Sequence, residues 1–276
     1  VGTELAWVAA HASLYPLGML GERKRPGLAE VWDAQGTPIL LVHGFVDNRS
    51  IFTVLRRALR RRGFERVVSL NYSVLTNDVA TAAAHLQEQV EQVCQETGYE
   101  RVHVIGHSLG GIVARYYVQR LGGDARIHTL VTLGAPHRGT QTARLVPLRL
   151  ARQLRPGSDL LAELAEPATG CRTRFVAYWS DLDQLMLPSG CARLEHPDLS
   201  ARNVLIPGVG HMSLPIDRRV VRQIAELLAE LDSDGGTLTS GVPPLSRGRA
   251  QPAAHGGQRA APTSSGRPTQ ARIGTR

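Results

Sequence analysis

A serine between two glycines, Gly106-His107-Ser108-Leu109-Gly110, carries the most definite chemistry in this chain. A serine hydroxyl attacks a carbonyl when a base takes its proton and N–H donors hold the oxyanion that forms. The pattern lies between the apolar run Arg101-Val102-His103-Val104-Ile105 and a helical stretch from Ile112 to Leu121, the strand-turn-helix setting of a nucleophile elbow. In that setting the glycines let strand and helix approach without Cβ clashes, and the tight turn exposes the Ser108 hydroxyl. The helix start directs free N–H groups and a positive dipole end at the same point.

Ten histidines compete for the role of base. His211, in Pro207-Gly208-Val209-Gly210-His211-Met212-Ser213, falls in a glycine-rich loop between the last strand and the last helix, and is the expected base. His107 flanks the nucleophile, but its side chain is set away from the serine tip, so it reads as structural. His43 and His137, at strand ends on the same edge, read as turn hydrogen-bonders. The acid that orients the base belongs in the loop after the strand 173–179, where Asp181 and Asp183 both occur and either reaches His211. The order Ser, Asp, His then matches the α/β-hydrolase arrangement. For the oxyanion, His43-Gly44-Phe45 ends the first central strand beside the elbow, so that the Phe45 N–H joins the Leu109 N–H.

These residues need a frame that presents strand ends on one edge. Apolar runs at 38–43, 66–71, 101–107, 127–133, 173–179 and 203–207 read as strands, and amphipathic stretches at 50–62, 77–97, 109–121 and 214–231 as helices. The alternation predicts an α/β fold, a mostly parallel sheet wrapped by helices. Residues 137–170 contain no strand but carry Leu145, Val146, Leu148, Leu150, Leu154, Leu160, Leu161 and Leu164 among arginines. A long insertion at a strand end is where lids and binding surfaces sit, and one this rich in leucine points to lipid-like esters and to movement at a lipid surface. The expected organisation is an N-terminal apolar segment at 1–34, a catalytic domain at 35–232 with the lid-like insertion at 137–170, and a disordered Gly/Pro/Ser/Arg tail at 233–276.

Composition removes other classes. The 276 residues are 42% hydrophobic and 20% charged, enough to build one large core. The formal charge of +8 is concentrated in the tail, where Arg247, Arg249, Arg259, Arg267, Arg272 and Arg276 face only Asp234. Basic residues without interleaved aromatics, at 5% aromatic overall, argue against nucleic-acid binding. Cys94 lies on the stripe Val79, Ala83, Leu86, Val90, Val93 and Thr97 and reads as a buried apolar residue. Cys171 and Cys191 are left as a candidate disulfide, and no cysteine spacing predicts a metal site. Leu5 to Leu20 is mostly apolar but is interrupted by His11, Ser13 and Pro16 and is short for a membrane span. No basic leader precedes it, so the compartment stays open.

With those residues in place, the chain resembles bacterial lipases and esterases of the α/β-hydrolase superfamily, and is similar to the compact triacylglycerol lipases. The matching stretches are Pro38-Ile39-Leu40-Leu41-Val42-His43-Gly44-Phe45, Val104-Ile105-Gly106-His107-Ser108-Leu109-Gly110-Gly111, Leu133-Gly134-Ala135-Pro136-His137-Arg138-Gly139-Thr140 and Ala201-Arg202-Asn203-Val204-Leu205-Ile206-Pro207-Gly208-Val209-Gly210-His211, within residues 35–231. The resemblance implies a triad of Ser108, Asp183 and His211, with the oxyanion held by the Phe45 and Leu109 amides. Asp183 is favoured over Asp181 because the family's acid is commonly followed by an apolar patch, as in Asp183-Gln184-Leu185-Met186-Leu187-Pro188. It implies no organic cofactor, and no ligand cluster carries over the calcium or zinc of larger lipases. The insertion departs from the smallest lipases, and the tail has no counterpart. The expected activity is hydrolysis of acyl glycerol or similar lipid esters through an acyl-enzyme. Acyl transfer or thioester hydrolysis at the same site, or a non-catalytic lipid-binding role, are the alternatives. Expected partners are a lipid or small ester substrate, with membrane or lipid-interface contact and oligomeric state left open.

Overall fold

The computed structural model describes residues 36–45, 49–70 and 78–233. The expectations for the 1–34 segment and for the tail beyond Ser233 lie outside the described residues. Six strands form one all-parallel sheet: β1 (Ile39–Val42), β2 (Val67–Leu70), β3 (Val102–His107), β4 (Ile127–Leu133), β5 (Arg174–Trp179) and β6 (Ser200–Leu205), in the order β2-β1-β3-β4-β5-β6. The helices are α1 (Thr53–Arg60), α2 (Val79–Thr97), α3 (Leu109–Arg120), α4 (Arg149–Gln153), α5 (Asp159–Ala165) and α6 (Arg218–Ser233).

Two-residue alternation along the central strands divides the core into two layers. In β1, Leu40 and Val42 pack toward α2 and α3, whereas Ile39 and Leu41 pack toward α1 and α6. Because both faces are covered, β1 and β3 are buried along their whole lengths; β1 reads as an unbroken apolar run, and β3 is interrupted by the buried His103 and His107. On α2 the stripe of Val79, Ala83, Leu86, Val90, Val93 and Cys94 is buried. The same helix is capped by Asp78, which accepts from the Thr81 N–H at 2.8 Å, and ends at Gly98 in the left-handed conformation.

Several boundaries differ from the sequence reading, the first helix starting at Thr53 rather than Ser50 among them, and two have a traceable cause. The last helix starts at Arg218 rather than Leu214, because Pro215 lies in a tight turn over His211–Ile216 and Asp217 then caps the helix, accepting from the Arg219 and Val220 N–H groups. The last strand covers Ser200–Leu205 rather than 203–207. It is an edge strand whose register is set by β5, so polar Ser200 and Arg202 enter it, while Asn203 bonds both the N–H and the C=O of Leu194.

The insertion contains α4 and α5 and no strand. Its base is tied to α3 by a buried guanidinium: Arg115 donates to the carbonyls of His137 at 3.1 Å and Leu164 at 2.8 Å, and to the Gln119 amide oxygen at 2.6 Å. Burial lowers the pKa of this guanidinium to about 10, and three hydrogen bonds satisfy it where no carboxylate among the described residues is paired with it. Gln119 and Arg120 add bonds to the carbonyls at the end of α5, where the helix dipole favours positive charge. Both ends of the insertion are thus fixed to the helix that begins at the nucleophile candidate, while Leu145 between them is 84% exposed.

Candidate active site

Every residue expected at the site follows the C-terminal end of a parallel strand, the edge where α/β folds place their ligands. Phe45 follows β1, Ser108 follows β3, Asp183 follows β5 and His211 follows β6.

Ser108 occupies the turn between β3 and α3 at φ 53° and ψ −123°, and among the described residues it is the single non-glycine with positive φ. Such a conformation costs about 1–3 kcal/mol and persists only where its surroundings impose it. Here the Ser108 N–H donates to the Leu133 carbonyl at 2.8 Å, and its own carbonyl accepts from the Gly111 N–H at 3.0 Å. Leu109 is the first residue of α3, so its N–H has no carbonyl one turn earlier in the helix to bond. Gly110 lies directly on the end of β1: a Cβ there would stand 2.2 Å from the Val42 carbonyl oxygen and 2.5 Å from that of His43. This close approach brings the strand end leading to Phe45 against the turn that starts at Leu109.

His211 and Asp183 meet: the Nδ1 of His211 donates to Oδ2 of Asp183 at 2.8 Å, with side chains 3% and 0% exposed. A carboxylate only accepts, so Nδ1 carries the proton and the Nε2 lone pair is left to act as base. The other carboxylate oxygen, Oδ1, accepts from the Leu185 and Met186 N–H groups at 3.0 and 3.1 Å. Asp181 has a different task. It accepts from the Gly208 N–H at 2.8 Å and, with Ser180 accepting from the Val209 N–H at 3.1 Å, fastens the loop that carries His211.

Two participants had weak signals in the sequence. His107 donates from Nε2 to the His211 carbonyl at 3.2 Å, and the two rings lie 4.8 Å apart. Its position beside Ser108 was visible, but its partner 104 residues away was not. Gly134, at φ 56°, leaves the space the pair needs: a Cβ there would lie 2.9 Å from Asp183 Oδ2 and 3.1 Å from His211 Nδ1. The Leu133-Gly134-Ala135-Pro136 motif was its one trace in the sequence. His43 is buried and donates from Nδ1 to the Gly44 carbonyl at 3.0 Å, a local turn contact.

His137 is buried, with Nε2 on the Thr132 hydroxyl at 3.0 Å. Desolvation, with a smaller effect of the Arg115 charge, holds its pKa well below the ordinary value near 6.5. Below pH 6.5 the unfolded chain binds a proton that the folded chain does not, so stability falls as pH decreases, by at most about 1.4 kcal/mol per unit for this group. Urea unfolding between pH 7 and 5 should show this slope, and His137→Gln should flatten it. Equal slopes in the two proteins would assign the effect elsewhere.

All three cysteines are thiols, which overturns the candidate bridge. Cys171 donates to Asp124 on the opposite edge of the sheet, while Cys191 packs with Met186 and Ala192 under the acid loop. Burial pushes both thiols up to about 11. Among the described residues no group of three or more His, Cys, Asp or Glu side chains is placed to hold a metal ion. Among the same residues no helix is long and apolar enough to cross a membrane.

Comparison with known proteins agrees with this architecture. A sequence model of the palmitoyl protein thioesterase family matches residues 38–187. The chain is 29% identical over 126 residues to a triacylglycerol lipase of Pseudarthrobacter phenanthrenivorans, covering 43% of this chain and 39% of that one. It is 30% identical over 111 residues to a triacylglycerol lipase of Pseudomonas fragi, covering 38% and 36%. The matched region thus spans under two fifths of these curated relatives. Among solved structures, the mature form of a Bacillus licheniformis lipase superposes with a TM-score of 0.61 at 17% identity, over 75% of this chain and 94% of that one. A monoacylglycerol lipase of Paleococcus ferrophilus gives 0.54 at 16% identity, over 71% and 96%. At these identities the structural likeness is one of fold, that of the α/β hydrolases.

Proposed function

Because the chain belongs to the palmitoyl protein thioesterase family, we propose that it is a serine hydrolase that cleaves acyl esters through a covalent acyl-enzyme. In this reading His211 Nε2 takes the Ser108 proton as the hydroxyl attacks the acyl carbonyl. The Phe45 and Leu109 amides hold the oxyanion, and the imidazolium returns its proton to the leaving group. Asp183 keeps the proton on His211 Nδ1 and offsets the imidazolium charge. Water then attacks the acyl-serine by the same route in reverse, releasing the acid. The observation that carries the proposal is the buried 2.8 Å contact of His211 Nδ1 with Asp183, at the same sheet edge as a strained serine that starts a helix.

The surroundings favour a long acyl chain. Leu182, Leu185 and Leu187 on the acid loop are 58%, 46% and 47% exposed, and Leu145 and Leu148 stand exposed on the neighbouring insertion. The two segments adjoin, since the Gln141 N–H donates to the Leu187 carbonyl at 3.0 Å. Apolar side chains left in water beside a site are suited to an apolar substrate or a lipid surface. The family match supports a second reading of the same machinery, in which the leaving group is a thiolate.

Wild type and Ser108→Ala should be compared on p-nitrophenyl esters from acetyl to palmitoyl, on emulsified triglyceride and on a palmitoyl thioester. Turnover should rise toward the long chains and fall by about 10⁴-fold or more in the variant. Turnover that survives in Ser108→Ala would exclude the mechanism, and the preferred leaving group would separate oxygen ester from thioester.

A further inference from the structure

The insertion and the acid loop run side by side, and two hydroxyls stand between them, of which that of Thr140 bonds the acid loop twice. Thr140 donates to the Leu185 carbonyl at 2.7 Å and accepts from the Leu187 N–H at 3.0 Å. Thr142 donates to the same Leu185 carbonyl at 2.7 Å, filling its second lone pair. Backbone bonds flank this contact, from the Gln141 N–H to the Leu187 carbonyl and from the Arg138 N–H to the Cys191 carbonyl, each 3.0 Å.

The Leu185 carbonyl and the Met186 N–H belong to one planar peptide unit and point in opposite directions. The Met186 N–H is one of the two donors on Asp183 Oδ1, and Asp183 Oδ2 accepts from His211 Nδ1. A continuous line of hydrogen bonds therefore runs from Thr140 O–H through that peptide and the Asp183 carboxylate to the His211 imidazole. Donation to the carbonyl polarises the peptide and strengthens its N–H as a donor, and planarity turns any swing of one end into a swing of the other.

We infer that Thr140 is a positioning residue for the triad acid, holding the Leu185–Met186 peptide so that Asp183 presents Oδ2 to His211. The inference rests on the proposed hydrolase reading for its catalytic consequence, though not for its geometry. It also gives the insertion a role beyond covering substrate, because its first turn becomes part of the support of the acid.

Thr140→Val preserves shape and removes the hydroxyl, and Thr140→Ser preserves the hydroxyl. Thr140→Val should lower kcat on the order of 10–100-fold with KM within about twofold, while Thr140→Ser stays within about threefold of wild type. The second readout is the proton NMR signal of His211 Nδ1, which lies far downfield when bonded to a carboxylate and is identified by its loss in Asp183→Asn. It should weaken or shift upfield in Thr140→Val and persist in Thr140→Ser. A Thr140→Val protein that only melts at lower temperature, with wild-type kcat and an unchanged Nδ1 signal, would overturn the inference. If wild type shows no serine-dependent turnover, the hydrolase reading fails, and the Nδ1 signal of Thr140→Val against wild type still decides whether the clasp exists.

Discussion

Asp183→Asn should lower kcat by about 10⁴-fold while leaving the fold intact, because the surrounding backbone forces the new amide into the wrong orientation. The Leu185 and Met186 N–H groups occupy Oδ1, so an asparagine must give its carbonyl oxygen to them. Its NH2 then faces His211 Nδ1, which can meet a donor only by giving up its own proton. The imidazole would move its proton to Nε2, which then would lack the lone pair that the proposed mechanism uses as base. Asp181→Asn gives the opposite result, since an asparagine oxygen accepts the Gly208 N–H as well as the carboxylate does, and turnover should stay within about threefold. Steady-state kinetics on the two variants, with circular dichroism to confirm folding, test the assignment. Loss of activity in Asp181→Asn and not in Asp183→Asn would reverse it.

Gly110→Ala is the largest stability effect expected from one methyl group. Its Cβ would lie 2.2 Å from the carbonyl oxygen of Val42, the last residue of β1, and 2.5 Å from that of His43, which follows it. Val42 ends a central strand paired on both sides, so neither strand nor helix yields there without breaking bonds in the sheet. Overpacking of a rigid site costs about 1–3 kcal/mol and at times more, and this contact belongs at the upper end, against a total stability of about 5–15 kcal/mol. The variant should be insoluble or unfold at much lower urea concentration. Gly157→Ala is the control, with positive φ but open space around it, and should cost only about 1 kcal/mol. A Gly110→Ala protein as stable as wild type would mean that β1 and α3 do not approach as closely as described, and would remove the physical basis for placing Phe45 beside Leu109.

Much of the frame was legible because its signals are local. The runs that became β1, β3 and β4 hold enough apolar residues, despite the histidines and threonines in β3 and β4, to be recognisable without knowledge of their neighbours. The α2 stripe follows from helical periodicity. β6 was harder to place: an edge strand has weak alternation, and its limits come from β5. The start of α6 depended on the turn through Pro215, which leaves the apolar pattern unbroken while ending the preceding hydrogen bonds.

The sequence by itself determined which residue types could do chemistry and in what order they come. Glycine spacing around Ser108 and the loop around His211 are written in consecutive residues, where the conformations needed admit few side chains. Tertiary structure alone decided what each polar group faces. Asp181 and Asp183 are two residues apart and chemically the same, yet one bonds the Gly208 backbone and the other the His211 ring. Arg115, with its guanidinium on carbonyls 22 and 49 residues away, and Thr140, with its hydroxyl on one 45 residues away, acquired their parts in the same manner. Hydrogen bonds are short and directional, so their partners are set by how the strand ends converge, which no local pattern encodes.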